Sequence, residues 1–430
     1  MSDCGHSTTG LTQEARGLDR RQLLRLAGAG GTGVLVSSAL GETPAAAATA
    51  GQQRVYVVVT DGLRTDEITR ELTPTLHSLR SGGTWYPTAR SMPVMETIPN
   101  HVMMMTGVRP DRGGVPANKI YDRALGKTRT CGQPTDIKVK TVIQRLRARG
   151  LRTATVLSKE YLYTVFGTQA SYRWEPEPLN LLTQHAPDAA TMEALHAVVD
   201  RLDPHLTFVN LGDIDRVGHV DIGGVSKLPL MRRAALANTD KLLGKFVAHL
   251  KATGRWATST IIVLADHSMD WSVATNVVSL GAPIWFDKTL RDKVEIAQNG
   301  GADLLYWTGP AAEKAAGLKR LREVVLKQAG VLSVHTPAEL RLGSKAGDLV
   351  VYCKAGWRFA DPTVFHNPIP GNHGHPVTAP IPFFIAGGSS KVAKRTVRTG
   401  WARTIDVAPT IGAIFGLPAI TGGYDGVNRL

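Results

Sequence analysis

Four short runs of β-branched and aliphatic residues, alternating with helical patterns, constrain this chain more than any other feature. RVYVVVTDG (54–62) leads into a helical stretch around TPTLHSLRSGG. RTATVLS follows TVIQRLRARG, LTFVNLGDID follows TMEALHAVVDRL, and STIIVLADHS follows LMRRAALANTDKLLGKFVAHLKATG. Runs this apolar offer no polar face to water, so they predict buried strands. Their alternation with helices predicts an α/β fold with a mostly parallel central sheet and helices on both faces. Ligands of such sheets collect at the carboxyl ends of the strands.

Three of the four strands run out directly into acids: Asp61, the pair Asp213 and Asp215, and Asp266 followed by His267. One such acid is ordinary as a helix cap. Three, two of them followed closely by histidine, point to a shared polar site at one edge of the sheet.

The segment 290–350 has a different texture. DKVEIAQNGGADLLYWTG predicts a hairpin around Asn299-Gly300-Gly301, followed by a helix, VLSVHTPAEL and the strand GDLVVYCKAG. It reads either as a small lid-like insertion or as further sheet edge. PIPFFIAGG then returns as a strand and RTIDVAPTIGAIFGLP as a helix.

Residues 1–50 stand apart. Paired Arg20 and Arg21 precede a weakly apolar run rich in Ala, Gly, Leu and Val, which ends in the small residues Ala48-Thr49-Ala50. That order matches a twin-arginine export signal, and AGAGGTGVL holds too many glycines for a stable surface helix. Cleavage near Ala50, a domain over 51–430, passage through the twin-arginine machinery and an extracytoplasmic location are the expectations. No run of about 18 apolar residues predicts a permanent membrane anchor. Cys4 lies in the signal, leaving Cys131 and Cys353 either to pair or to stay as buried thiols. The net charge is +14, and the four arginines of the first 50 residues are balanced by four acids. The excess therefore belongs to the remainder and suits an anionic partner; the cations are scattered along helices and no nucleic-acid module is recognisable.

MPVMETIPNHVMMMTG (92–107) places Thr97 and Asn100 ahead of a greasy run that predicts a buried helix, with Pro99 fixing the backbone. Thr97 reads either as the helix N-cap or as a hydroxyl aimed at an anion bound by unpaired N–H groups. Asp61, Thr97, Asp215, His219, Asp266, His267 and His373 together form a carboxylate and imidazole set that suits zinc, and would also accept manganese or iron. Seven groups exceed the needs of one catalytic ion. They divide naturally between two divalent ions, which can clamp the attacking and departing oxygens of a displacement at phosphorus.

At this point the chain resembles the alkaline-phosphatase superfamily, and within it the type I phosphodiesterase/nucleotide pyrophosphatase branch. VVTDGLR, METIPNHVMMMTGVRPDRGGVPAN, GDIDRVGH, LADHSM, GNHGH and TIDVAPTIGAIFGLP carry the resemblance in order. It implies that Asp215, His219 and His373 hold one zinc ion, and that Asp61, Asp266, His267 and the Thr97 oxygen hold the other. Thr97 would be the nucleophile, passing through a phosphothreonine intermediate, and Asn100 would donate its amide to a phosphate oxygen. Asp213 reads as a partner of His219 or a surface acid, His375 as a solvated loop residue or part of the site wall, and Arg64 as a phosphate contact or the partner of Asp66 and Glu67. His101 reads as packed or capping.

Several departures bear on the substrate. SMPVM mimics the sulfatase frame, with Met95 where its arginine would stand. Monoesterases that use a threonine nucleophile carry Lys and Arg two residues apart; Lys159 is present as a substrate contact, but Tyr161 takes the arginine position. Half of that clamp fits a diester or phosphonate better. The Lys-x-x-Leu pattern keeps phosphonoacetate hydrolases in view. Ile98 and Asn210 stand where nucleotide-binding relatives usually place aromatics, so base stacking loses its platforms. The sequence thus predicts phosphodiesterase or pyrophosphatase chemistry on a small organic phosphate. The alternatives are a monoesterase, a phosphonate hydrolase and a catalytically silent secreted anion-binding protein.

Overall fold

The computed structural model describes residues 51–176, 185–220, 230–362, 367 and 369–430, and the backbone of Gly33–Ser37. Among these residues nine strands form one sheet. Their order is Gly33–Ser37, Tyr172–Pro176, Thr153–Leu157, Leu206–Leu211, Arg54–Thr60, Ser259–Leu264, Phe383–Ala386, Thr84–Trp85 and Thr396–Val397. From Tyr172–Pro176 through Ser259–Leu264 the neighbours run parallel, while Gly33–Ser37 and Phe383–Ala386 pair antiparallel with that block. The central strands Arg54–Thr60, Leu206–Leu211 and Ser259–Leu264 are buried at every position, as expected of a sheet covered on both faces.

The covering helices form two groups, the members of each in contact with one another. One contains Pro74–Gly82, Asp188–Leu202 and Leu230–Ala252; the other contains Thr97–Thr106, Val142–Arg147, Glu160–Phe166 and Val407–Ile414. Thr97–Thr106 is buried at all ten positions, the state expected of a helix with no polar face. It stops at Gly107, whose φ of 72° is the left-handed cap conformation; a Cβ there would lie 2.4 Å from the Tyr424 ring.

Residues 294–353, ending slightly beyond the expected 290–350, build a second sheet, antiparallel, in the order Val294–Asn299, Ala302–Trp307, Leu349–Cys353 and Val331–His335, with the helix Lys314–Leu326 packed on it. Strand alternation divides its allegiance. Leu305, Trp307, Val351 and the helix residues Leu321 and Val325 form a separate apolar cluster, whereas Leu304, Tyr306, Val350 and Tyr352 join the main core. One face of this sheet is therefore fixed to the body of the molecule.

Most of the stretch read as an export signal lies outside the described residues. Gly33–Ser37 pairs with Tyr172–Pro176 at the sheet edge. Cys131 and Cys353 are both buried and unpaired with each other, leaving the thiol alternative. No described helix is long and apolar enough to cross a membrane.

Candidate metal centre and active site

Register brings the acids together. Val59 is level with Asn210 on one side and Leu264 on the other, so three adjacent parallel strands end at one height. Asp61, Asp213, Asp215 and Asp266 follow within a few residues of those ends. Lys159 leaves the next strand, Thr153–Leu157, in the same direction. Thr97 and His373 arrive from elsewhere, joined by a bridge between Met95 and Gly374 and by a 3.2 Å contact between His373 Nδ1 and the Met95 carbonyl.

Two groups of three ligating atoms result, Asp61–Asp266–His267 and Asp215–His267–His373, each with its atoms within 4.8 Å of one another. His267 is common to both and stacks on His373 with ring centroids 3.6 Å apart. His219 Nε2 lies 3.4 Å from Asp215 Oδ1, while its Nδ1 meets the Gly371 carbonyl at 2.9 Å. Those backbone contacts of His219 and His373 leave each Nε2 free to face the cluster.

The electrostatics ask for cations. Asp61 Oδ1, Asp215 Oδ1 and both Asp266 carboxylate oxygens are buried with no hydrogen-bond partner among the described residues. Burial and the neighbouring Asp61 push the Asp266 carboxyl up to about 7. For Asp215 burial acts the same way, but Lys159 and the surrounding histidines outweigh it and hold the carboxyl well below its usual range. Burial and the flanking His267 and His219 hold His373 well below the ordinary histidine range, in its neutral, ligand-competent form. His267 is shifted the other way: burial pulls it down, but Asp266, Asp61 and Asp215 outweigh that and raise it. Orphaned carboxylate oxygens that draw a proton onto the shared imidazole, beside the neutral His373, are a donor set short of positive charge and fit divalent metal.

Thr97 is the first helical residue, and Glu96 takes the cap position without a side-chain cap bond. The Thr97 hydroxyl instead lies 3.3 Å from His267 Nε2. The cap reading of Thr97 therefore gives way to one in which its oxygen faces the acid and imidazole cluster.

Asn100 requires a correction. It is fully buried; its Nδ2 donates to the Met92, Val94 and Glu96 carbonyls at 3.0–3.1 Å, and its Oδ1 accepts from Met92 N and the Thr404 hydroxyl. No donor remains for phosphate, so Asn100 ties down the loop that precedes the nucleophile. Lys159 is also corrected as a substrate contact. Its ammonium is 2.8 Å from both Asp61 Oδ2 and Asp215 Oδ2, linking the two acid groups.

The other neighbours sort clearly. Among the described residues Asp213 has no bond to His219; it pairs with Arg216, and each of Asp213 and Asp188 donates its backbone N–H to the other's carboxylate. His375 is fully buried and bonded to Asp270 at 3.0 Å, so it is not a solvated loop residue. Arg64 pairs with Asp66. His101 sits behind the cluster, contacting the Thr97 carbonyl and Asn210. Asn210, in place of an aromatic, donates to Asp61 Oδ2 at 2.8 Å.

A cavity of about 230 Å³ opens over the cluster, lined by Thr97, Asn118, Tyr161, His185, His219 and Asn299 among others. Asn118 was not singled out by the sequence reading, although it closes the GGVPAN motif. Its Oδ1 accepts from Ile98 N at 2.8 Å, and its Nδ2 has no partner among the described residues. Asn118 thus brings an amide with an unengaged nitrogen to the cavity that Thr97 also lines.

A mostly parallel α/β sheet with buried acids and imidazoles at its carboxyl ends, beside one hydroxyl, defines a metal-dependent hydrolase. The family described as type I phosphodiesterase / nucleotide pyrophosphatase matches residues 55–374. The chain belongs to that family, and so to the alkaline-phosphatase superfamily and to its phosphodiesterase and pyrophosphatase enzymes. It is 22% identical to the mouse bis(5'-adenosyl)-triphosphatase enpp4 over 381 residues, covering 85% of this chain and 78% of that protein. It is 24% identical to the human ectonucleotide pyrophosphatase/phosphodiesterase family member 5 over 262 residues, 57% of this chain and 51% of that one. With the human bis(5'-adenosyl)-triphosphatase ENPP4 it shares 23% identity, spanning 51% of that protein. Among solved structures, murine ectonucleotide pyrophosphatase/phosphodiesterase 5 superposes with a TM-score of 0.67 at 18% identity, covering 86% of this chain and 96% of that chain. The human counterpart gives 0.68 at 17%, covering 87% and 97%. At such identities the structural likeness concerns the fold.

Proposed function

We propose that this chain is an exported two-metal hydrolase that cleaves phosphodiester or pyrophosphate bonds of a small organic phosphate through a phosphothreonine intermediate. The observation that carries the reading is the cluster of orphaned carboxylate oxygens at the Thr97 hydroxyl. Asp61, Asp266 and His267 would hold one ion with the Thr97 oxygen; Asp215, His219 and His373 would hold the other. Bound divalent ions, zinc by the character of the ligands, supply the charge that favours the alkoxide form of Thr97 and stabilises the leaving oxygen.

The chain's own groups do the rest. Thr97 Oγ1 forms a bond to phosphorus as the bond to the leaving oxygen breaks, and water then cleaves the phosphothreonine ester, restoring the hydroxyl. Asn118 Nδ2 donates to a non-bridging oxygen, and Tyr161 brings to the cavity wall a neutral hydroxyl rather than a second cation. Lys159 is engaged with Asp61 and Asp215, so its charge is shared with them. A singly charged diester suits such a pocket better than a dianionic monoester. Among the structures of the murine relative is an inactive variant with one threonine changed to alanine, in complex with AMP. That supports a nucleophilic threonine, while buried Ile98 and Asn210 offer no stacking face for a base here.

Hydrolysis of bis-p-nitrophenyl phosphate and p-nitrophenyl phosphate, compared across wild type, chelated enzyme and Thr97→Ala, tests the proposal. Faster diester turnover that disappears on chelation and in Thr97→Ala is expected. Monoester preference, or full activity in Thr97→Ala, would overturn it.

A further inference from the structure

The dipeptide Asn118-Lys119 is gripped from two sides. From the nucleophile's loop, the Glu96 carboxylate accepts from Asn118 N at 2.7 Å. From the small sheet, Asn299 makes a two-point bond, Oδ1 accepting from Lys119 N at 2.8 Å and Nδ2 donating to the Lys119 carbonyl at 3.0 Å. The Asn118 carbonyl accepts from Cys131 N, so every backbone polar group of the pair is engaged. Glu96 and Asn299 are each 3% exposed. Glu96 stands at the cap position of Thr97–Thr106, yet its side chain leaves the helix end and spends its bond on Asn118 instead.

An amide with its oxygen fixed and its backbone clamped has one direction left for its nitrogen. Because Asn118 Oδ1 is held by Ile98 N, the amide nitrogen is the end left for a ligand in the cavity that Asn118 lines. We propose that Asn299 and Glu96 are positioning residues that aim the Asn118 amide at the phosphoryl group, which makes the small antiparallel sheet part of the catalytic apparatus. This rests on the phosphoryl-transfer reading above. Asn299 ends the first hairpin strand, and the turn it opens also reaches the metal cluster, since Gly301 N donates to the His373 carbonyl at 2.6 Å. Metal content must therefore be measured beside rate.

The probe is the pair of Rp and Sp forms of methyl p-nitrophenyl phosphorothioate, because a donor fixed on one non-bridging oxygen makes the enzyme distinguish them. Asn118→Ala, Asn299→Ala and Glu96→Ala should each lower kcat for the parent oxygen diester about ten- to hundredfold and reduce the preference between the two forms, with metal content unchanged. Glu96→Gln keeps a side-chain carbonyl for Asn118 N and should restore the preference. A preference lost in Asn118→Ala but intact in folded, metal-loaded Asn299→Ala and Glu96→Ala would overturn the inference alone. A preference intact in Asn118→Ala would overturn the phosphoryl contact beneath it. Should Asn299→Ala not fold, Glu96→Ala against Glu96→Gln carries the same contrast: equal preferences in those two refute the positioning role.

Discussion

Asn100, expected to donate to phosphate, is fully engaged by its own loop, and that has measurable consequences. Asn100 holds Met92, Val94, Glu96 and Thr404 together in a fully buried knot. Asn100→Ala should therefore cost about 2–4 kcal/mol of stability by stranding the buried Met92 N–H and the three carbonyls, visible as a lower denaturation midpoint. Asn210 acts differently, donating to Asp61 Oδ2 from the adjacent strand. Asn210→Ala should weaken metal retention about ten- to hundredfold in a chelator competition while leaving the fold intact, because it frees the orientation of one ligand. Both asparagines were visible in the sequence. Their roles were not, because a role depends on which atoms an amide faces, and spacing does not encode that.

At the scale of elements, the small sheet buries an acid, Asp303, against a second one, Asp361, outside it. Asp303, on Ala302–Trp307, is fully buried and neither of its oxygens accepts a hydrogen bond among the described residues. Burial and the neighbouring Asp361 hold its carboxyl well above the usual range. Asp361 is instead satisfied by Leu280 N and Gly281 N. A carboxyl whose folded pKa is raised contributes its full stability below the unfolded carboxylate range, and that contribution drains away as pH rises toward the folded value. Asp303→Asn removes the loss. It should raise the melting temperature by a few degrees near about pH 8 and change it little near about pH 4, as read by calorimetry. The hairpin itself was legible, since Asn299-Gly300-Gly301 announces a turn between two apolar runs. That its far face would join the main core was not, because Leu304 and Tyr306 look the same in sequence whether they face the body or a separate cluster.

For the whole molecule, strand order follows from continuous apolar runs alternating with helices, and acids at strand ends reveal the site because parallel strands finish together. Those are local signals repeated often enough to fix a global arrangement. The Lys159 bridge, the Glu96 and Asn299 clamps and the shared position of His267 arise only when distant segments meet. The edge of the sheet adds a prediction about processing. Cleavage near Ala50 would release Gly33–Ser37 from its pairing and leave Tyr172–Pro176 exposed as an edge. Intact-mass measurement of exported protein should give a chain beginning near Gly51, whereas a chain retaining residues 33–37 would contradict export with cleavage there.

The central claim is that dispersed acids and imidazoles seat two ions at one threonine hydroxyl. Elemental analysis of the chelated protein during stepwise zinc reconstitution, with diester turnover followed in the same samples, tests it most directly. Activity should climb until two equivalents are bound per chain and then level off. Full turnover at one equivalent, or in the metal-free protein, would contradict the account.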